Sequence, residues 1–112
     1  MIEVNKDNFQ AEVRESQQPV LVDIWGPTCD PCIALMPAVE ELEKKYQGQV
    51  KVVKLNSAEN RRLCIDLRVI GLPSFLLFKD GQEVGRLGGK DVNIESVEGL
   101  IQSHSSASEN AV

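Results

Sequence analysis

Val22-Asp23-Ile24-Trp25-Gly26-Pro27-Thr28-Cys29-Asp30-Pro31-Cys32-Ile33-Ala34-Leu35-Met36-Pro37 is the stretch that decides the fold. Its first part belongs to Val20-Leu21-Val22-Asp23-Ile24-Trp25, a short apolar run rich in β-branched residues. Such a run reads as a strand buried on both faces. Asp23 is its one anomalous charge. Gly26-Pro27-Thr28 is turn chemistry. A helix is expected from about Asp30 to Tyr46, because Leu35, Val39, Leu42 and Tyr46 step by 4, 3 and 4 along one face. Pro31 falls in its first turn, where a missing N–H costs nothing, and Pro37 falls inside, where a kink is expected. Lys44-Lys45 and Gly48 end it.

Outward from this strand–turn–helix unit, strands and helices alternate. Asn5 or Asp7 caps a short helix with Phe9 and Val13 facing inward, and Gln17-Gln18-Pro19 breaks it. Val50 to Leu55 reads as a strand, and Ala58 to Leu67 as a short amphipathic helix with Leu63 and Leu67 in step. Ser74 to Phe78 and Glu83 to Leu87 form a hairpin about Asp80-Gly81, the strongest short turn signal. Ile94, Val97 and Ile101 line a last helix capped by Asp91 or Asn93. Counting a strand ahead of the first helix, the order β-α-β-α-β-α-β-β-α implies an α/β layer, and the terminal hairpin makes its central sheet mixed. Residues 103–112 are Ser-rich and read as a flexible tail. No internal repeat is visible.

Composition narrows the function. The 112 residues suit one domain. Twelve Lys+Arg against 17 Asp+Glu give a net charge of −5, with no basic stripe to meet a nucleic acid. Residues 69–78, the longest uncharged apolar run, make about half a membrane span and include Gly71 and Pro73. The first residues have no basic start followed by an apolar stretch, so a cytoplasmic address is expected. Three cysteines are too few, and odd in number, for a secreted disulfide framework. In a reducing compartment a close pair is catalytic or metal-binding more often than a permanent staple. A structural zinc site needs four ligands, and Cys64 and His104 are the only further soft candidates, so no metal is expected. Cys64, between Leu63 and Leu67 on one short helix, reads as core filler.

Cys29 and Cys32 lie where the strand gives way to the helix. The first turn of a helix has unpaired N–H groups and about half a positive charge, which favour an anion. A thiolate at Cys29 is such an anion, so its pKa should fall below the free-thiol value of about 8.5. Only the thiolate attacks a disulfide. Cys32, one turn further in and less exposed, is the natural resolving thiol. Asp23 is costly in an apolar strand unless neutral or paired, and burial raises its pKa. If the strand points at the helix start, Asp23 lies beneath the pair and can take the proton of Cys32. Lys54, on a neighbouring strand, is its candidate partner.

The stretch from Val22 to Pro37, with Lys54-Leu55-Asn56, Val69-Ile70-Gly71-Leu72-Pro73-Ser74-Phe75 and Phe78-Lys79-Asp80-Gly81, closely resembles the thioredoxins over about residues 2–102. The resemblance implies a thioredoxin fold: a mixed sheet of about five strands, four helices, and a cis-proline before the fourth strand. It implies protein-disulfide reduction through a reversible Cys29–Cys32 disulfide, with no bound cofactor. Asp23 matches the buried acid, Lys54 its partner, and Trp25 the tryptophan packed near the pair. Pro73 matches the cis-proline, which would leave the backbone of Leu72 to pair with an extended peptide. Gly89 matches a glycine that keeps the substrate groove open, and Thr28, Asp30 and Pro31 complete that groove. Implied partners are a flavoprotein thioredoxin reductase and disulfide-containing clients, met by a monomer. No G-x-G-x-x-G dinucleotide motif is present.

The chain also departs from the usual pattern. Thr28 replaces a tryptophan, Asp30 a glycine and Ile33 a lysine. One carboxylate is gained beside the nucleophile and one cation lost. At about 7 Å and an effective dielectric of 40–80, each charge is worth about 0.6–1.2 kcal/mol. Cys29 should therefore be less acidic than in the usual motif, and acidic clients disfavoured, unless Asp30 spends its charge capping the helix. Two further readings stay open: an oxidant or isomerase with shifted redox poise, and a binding module using the groove without turnover.

Overall fold

Val20–Trp25 forms β2, the central strand of a five-stranded sheet ordered β1-β3-β2-β4-β5. A computed structural model describes residues 1–104 of the chain. β1 (Ile2–Val4) and β2 both run parallel to β3 (Lys51–Asn56), which lies between them. β4 (Ser74–Lys79) runs antiparallel to β2, and β5 (Gln82–Gly88) antiparallel to β4. Asp80 and Gly81 join β4 to β5, both with positive φ (53° and 81°), the primed-turn geometry that Asp-Gly favours.

The alternation of side chains across β2 sorts the core into two layers. Val20, Val22 and Ile24 join Phe9, Val13, Cys64 and Leu67 in one cluster. Leu21 joins Val39, Leu42, Tyr46, Val97 and Ile101 in the other. Helix α1 (Asp30–Lys45) and helix α3 (Ile94–Ser103) cover this second face. They are also joined at their edges: the Tyr46 hydroxyl donates to Glu98 at 2.7 Å, and Lys45 pairs with the same carboxylate.

The expected apolar positions are where the pattern put them. Phe9, Val13, Val39, Leu42, Tyr46, Val97 and Ile101 are buried, and Leu35 and Ile94 pack at the margin. α1 runs on through Pro37. The differences lie in local geometry. Asn5, not Asp7, caps the first turn, accepting from the Asp7 and Asn8 N–H groups, and the segment Gln10–Arg14 is π-helical. The helix expected over Ala58–Leu67 is split into a 3-10 turn (Ser57–Glu59) and α2 (Arg61–Asp66). Asn60 causes the break. Its amide donates to the Asn56 carbonyl and accepts the Lys6 N–H, which holds its backbone at φ −138°, outside the helical region. α3 reaches Ser103, into the expected tail, and His104 closes it with an N–H bond to the Ile101 carbonyl. The remainder of that tail, 105–112, lies outside the described residues.

Candidate active site

β2 ends at Trp25, and the Cys29 N–H donates to the Gly26 carbonyl, closing the turn that leads into α1. Space is tight at Gly26. A Cβ at this position would lie 3.1 Å from Leu72 Cδ1 and 3.3 Å from Ser57 Oγ. The turn carrying the cysteines is thus pressed against the segment that precedes β4. In the sequence Gly26 is only turn chemistry; its closeness to Leu72 is a tertiary fact with no local signature.

Cys29 is the N-cap of α1, in an extended conformation (φ −93°, ψ 95°). Its sulfur accepts the Cys32 N–H at 3.3 Å, and its carbonyl accepts the Ile33 N–H. A sulfur therefore holds the position usually given to Ser, Asp or Asn oxygen, against the positive end of the helix. Cys29 and Cys32 are joined as a disulfide, with Cα atoms 5.3 Å apart. Cys29 is half-buried, whereas Cys32 is 1% exposed. Asp30 is the first helical residue, and its exposed carboxylate caps nothing among the described residues. Thr28 before the pair and Pro31 within it are at the surface, and Ile33 beyond it is 47% exposed.

Asp23 faces the α1 side of the sheet, two residues before the strand's end, and is 1% exposed. Neither carboxylate oxygen finds a hydrogen-bond partner among the described residues. Burial pushes its pKa up to about 7, and the positive charge of Lys54 pulls it back in part. Lys54 is the register partner of Asp23 across the β2–β3 pair. Its Nζ also sits 5.9 Å from the centre of the Trp25 ring. Trp25 is partly buried, and its indole N–H is likewise unpaired. The three residues thus form one cluster across two strands.

The segment before β4 supplies the other wall. The Leu72–Pro73 peptide is cis, and Pro73 is buried. Neither the N–H nor the carbonyl of Leu72 is hydrogen-bonded among the described residues. The Pro73 carbonyl accepts the Gly89 N–H at 3.1 Å, and Gly89 has φ +102° with open space where a side chain would be. An apolar groove runs here, lined by Arg68, Ile70, Gly71, Leu87, Gly88 and Gly89. Cys64 lies apart from all of this, in the core cluster beneath α2, where burial raises its pKa. No group of three His, Cys, Asp or Glu able to hold a metal occurs among the described residues, and none of their helices is long and apolar enough to cross a membrane.

A sequence model of the thioredoxin family matches residues 1–102. The thioredoxin of Acetoanaerobium sticklandii is 41% identical over 104 residues, 93% of this chain and 99% of the relative. That of Peptoclostridium acidaminophilum is 44% identical over 104 residues, covering 93% and 94%. Thioredoxin 1 of Synechococcus elongatus is 43% identical over 86 residues, covering 77% and 80%. With a disulfide-capable pair at the mouth of α1 and this coverage, the chain belongs to the thioredoxin family and is a thiol–disulfide oxidoreductase.

Proposed function

We propose that the reduced chain opens disulfides in client proteins through Cys29, and that Cys32 resolves the intermediate. The carrying observation is the asymmetry of the pair: the sulfur at the helix mouth is the accessible one, and its partner is sealed inside. The Cys29 thiolate attacks one client sulfur. The client S–S bond breaks, its other sulfur leaves as a thiolate, and a mixed disulfide forms. Cys32 then gives its proton to the Asp23 carboxylate and attacks the Cys29 sulfur. The mixed disulfide breaks, the second client thiolate leaves, and the Cys29–Cys32 bond closes. The client has gained two electrons and the chain has lost two.

Asp23 suits the proton-accepting role because a carboxyl titrating near 7 is available in both forms at neutral pH. Lys54 keeps enough of it ionised, with its ammonium over the Trp25 ring. Thr28, Asp30 and Pro31 form one rim of the client surface, and Leu72, Pro73 and Gly89 the other. The free backbone of Leu72 offers a client strand one donor and one acceptor. Two electrons from a flavoprotein thioredoxin reductase then reopen the disulfide. The chain works in this reading as a cytoplasmic monomer that binds no cofactor, membrane or nucleic acid.

Cys32→Ser is the test. Without a resolving thiol the variant should accumulate a mixed disulfide through Cys29, visible by non-reducing gel and mass spectrometry of the linked peptides. Linkage through Cys64, or no linked client, would reject the assignment.

A further inference from the structure

We infer that Arg86, held by Glu83, is a positioning residue for client binding: it pins the C-terminal end of α2 and thereby fixes the groove segment 68–72. This rests on the reading that Leu72 meets the client. α2 ends in a complete Schellman motif. The Val69 N–H donates to the Cys64 carbonyl at 3.0 Å, and the Arg68 N–H to the Ile65 carbonyl at 2.9 Å. The residue at the left-handed position of that motif is Arg68, with φ +58°. Glycine is the usual occupant, because any Cβ is strained there. Something must hold this backbone in place, and the motif itself leaves the Leu67 and Arg68 carbonyls without partners.

Arg86 reaches both from β5. Nη2 donates to the Leu67 carbonyl at 2.9 Å, and Nη1 to the Arg68 carbonyl at 3.0 Å. The remaining side of the guanidinium is engaged by Glu83, which accepts from Nε and from Nη2. The planar fork suits this double duty, and an ammonium could not perform it. A cation at a helix C-terminus is also electrostatically favoured. Downstream, the Ser74 hydroxyl donates to the Gly71 carbonyl and the Gly89 N–H to the Pro73 carbonyl. The groove segment is therefore fastened at both ends. Its middle, with Ile70 fully exposed and Leu72 unpaired, is left to meet a partner. Arg68 and Arg86 both line the groove. Arg86 touches no reacting atom, and its guanidinium hydrogen bonds go to Glu83 and to the start of this segment.

The experiment compares the intact chain with Arg86→Ala on two substrates, a disulfide-bonded peptide and glutathione disulfide. The expected result is a KM for the peptide raised about fivefold to tenfold, with the rate on glutathione disulfide and the Cys29–Cys32 potential unchanged. Arg86→Lys should restore only part of the loss. A merely structural role would lower stability without splitting the two substrates. If Arg86→Ala does not fold, Arg68→Gly removes the left-handed strain, and the double variant compared with Arg68→Gly alone carries the same test. Hydrogen exchange on the Cys32→Ser protein trapped with the peptide separates client binding at Leu72 from the clamp at Arg86. A Leu72 amide not slowed by the peptide overturns the client reading and the clamp with it. A Leu72 amide that is slowed, with KM unchanged in Arg86→Ala, overturns the clamp alone.

Discussion

Two helices of this protein begin in opposite ways. α3 starts at Asn93, whose side chain accepts the Ser96 N–H at 2.8 Å, while the Ser96 hydroxyl accepts the Asn93 N–H at 3.2 Å. Two orphan donors are satisfied by oxygen, and the helix start is chemically inert. α1 starts at Cys29, where a sulfur accepts one N–H at 3.3 Å. Sulfur is a poor acceptor beside an amide or hydroxyl oxygen. The same backbone geometry thus carries an oxygen cap at one site and, in the proposed function, the attacking sulfur at the other. Beneath α1, the contrast deepens: an unpaired carboxyl, Asp23, is buried where an apolar residue would pack without cost.

The contrast can be broken outright by Cys29→Asn. Disulfide reduction should vanish, measured by insulin turbidity with a chemical reductant. Compared with Cys29→Ala, the asparagine should stabilise the fold by about 1 kcal/mol in urea unfolding, since it restores an oxygen cap. Equal stability of the two would mean that α1 does not need a cap.

Asp23→Asn comes next. The carboxyl titrates near 7 in the folded chain and near 3.8 when exposed. Between those values the unfolded chain has lost its proton and the folded chain has kept it. The contribution of this group to stability is therefore full below about pH 4, declines as pH rises towards 7, and levels off above. At about 1.4 kcal/mol per pH unit of difference, the cost at pH 8 is on the order of 4 kcal/mol. Asp23→Asn in the oxidised protein should recover most of that at pH 8 and little at pH 4. A gain independent of pH would point to packing instead of charge.

Asn93→Ala sharpens the other side of the comparison. It should cost about 1 kcal/mol in urea unfolding and leave the Cys29–Cys32 potential untouched. The smallest effect is expected at Asp30, whose carboxylate is exposed and caps nothing. Asp30→Gly should lower the pKa of Cys29, by an interaction of about 0.6–1.2 kcal/mol, and improve activity on acidic clients. Thiolate absorbance against pH reads it directly; an unchanged or higher value in the variant would refute it.

The fold was legible because it is written in periodicities. Leu35, Val39, Leu42 and Tyr46 step along one helical face, and the run from Val20 to Trp25 is uniformly apolar apart from Asp23, so layer and order followed. The cysteine pair was legible for the same reason: it sits at a strand-to-helix boundary that those patterns locate. Asp23 showed itself by interrupting one of them. What escaped depends on contacts between residues far apart in the chain. Asn60 breaks a helix because Lys6, 54 positions away, donates to it. Gly26 has little room for a side chain because Leu72 folds against it. Arg68 adopts a glycine-like backbone with Arg86 on its carbonyls, and nothing local to Arg68 announces that support.

The buried Cys64 gives the molecule a built-in stopwatch. Its thiol lies in the cluster between the sheet and α2, away from the Cys29–Cys32 pair. At 7% exposure the thiol meets a mass tag chiefly when that layer parts, so the rate of tagging reports excursions of this half of the interior. Run with the dithiol open and again with it bridged, the same tag would time how closing one bond at the rim alters breathing on the far side.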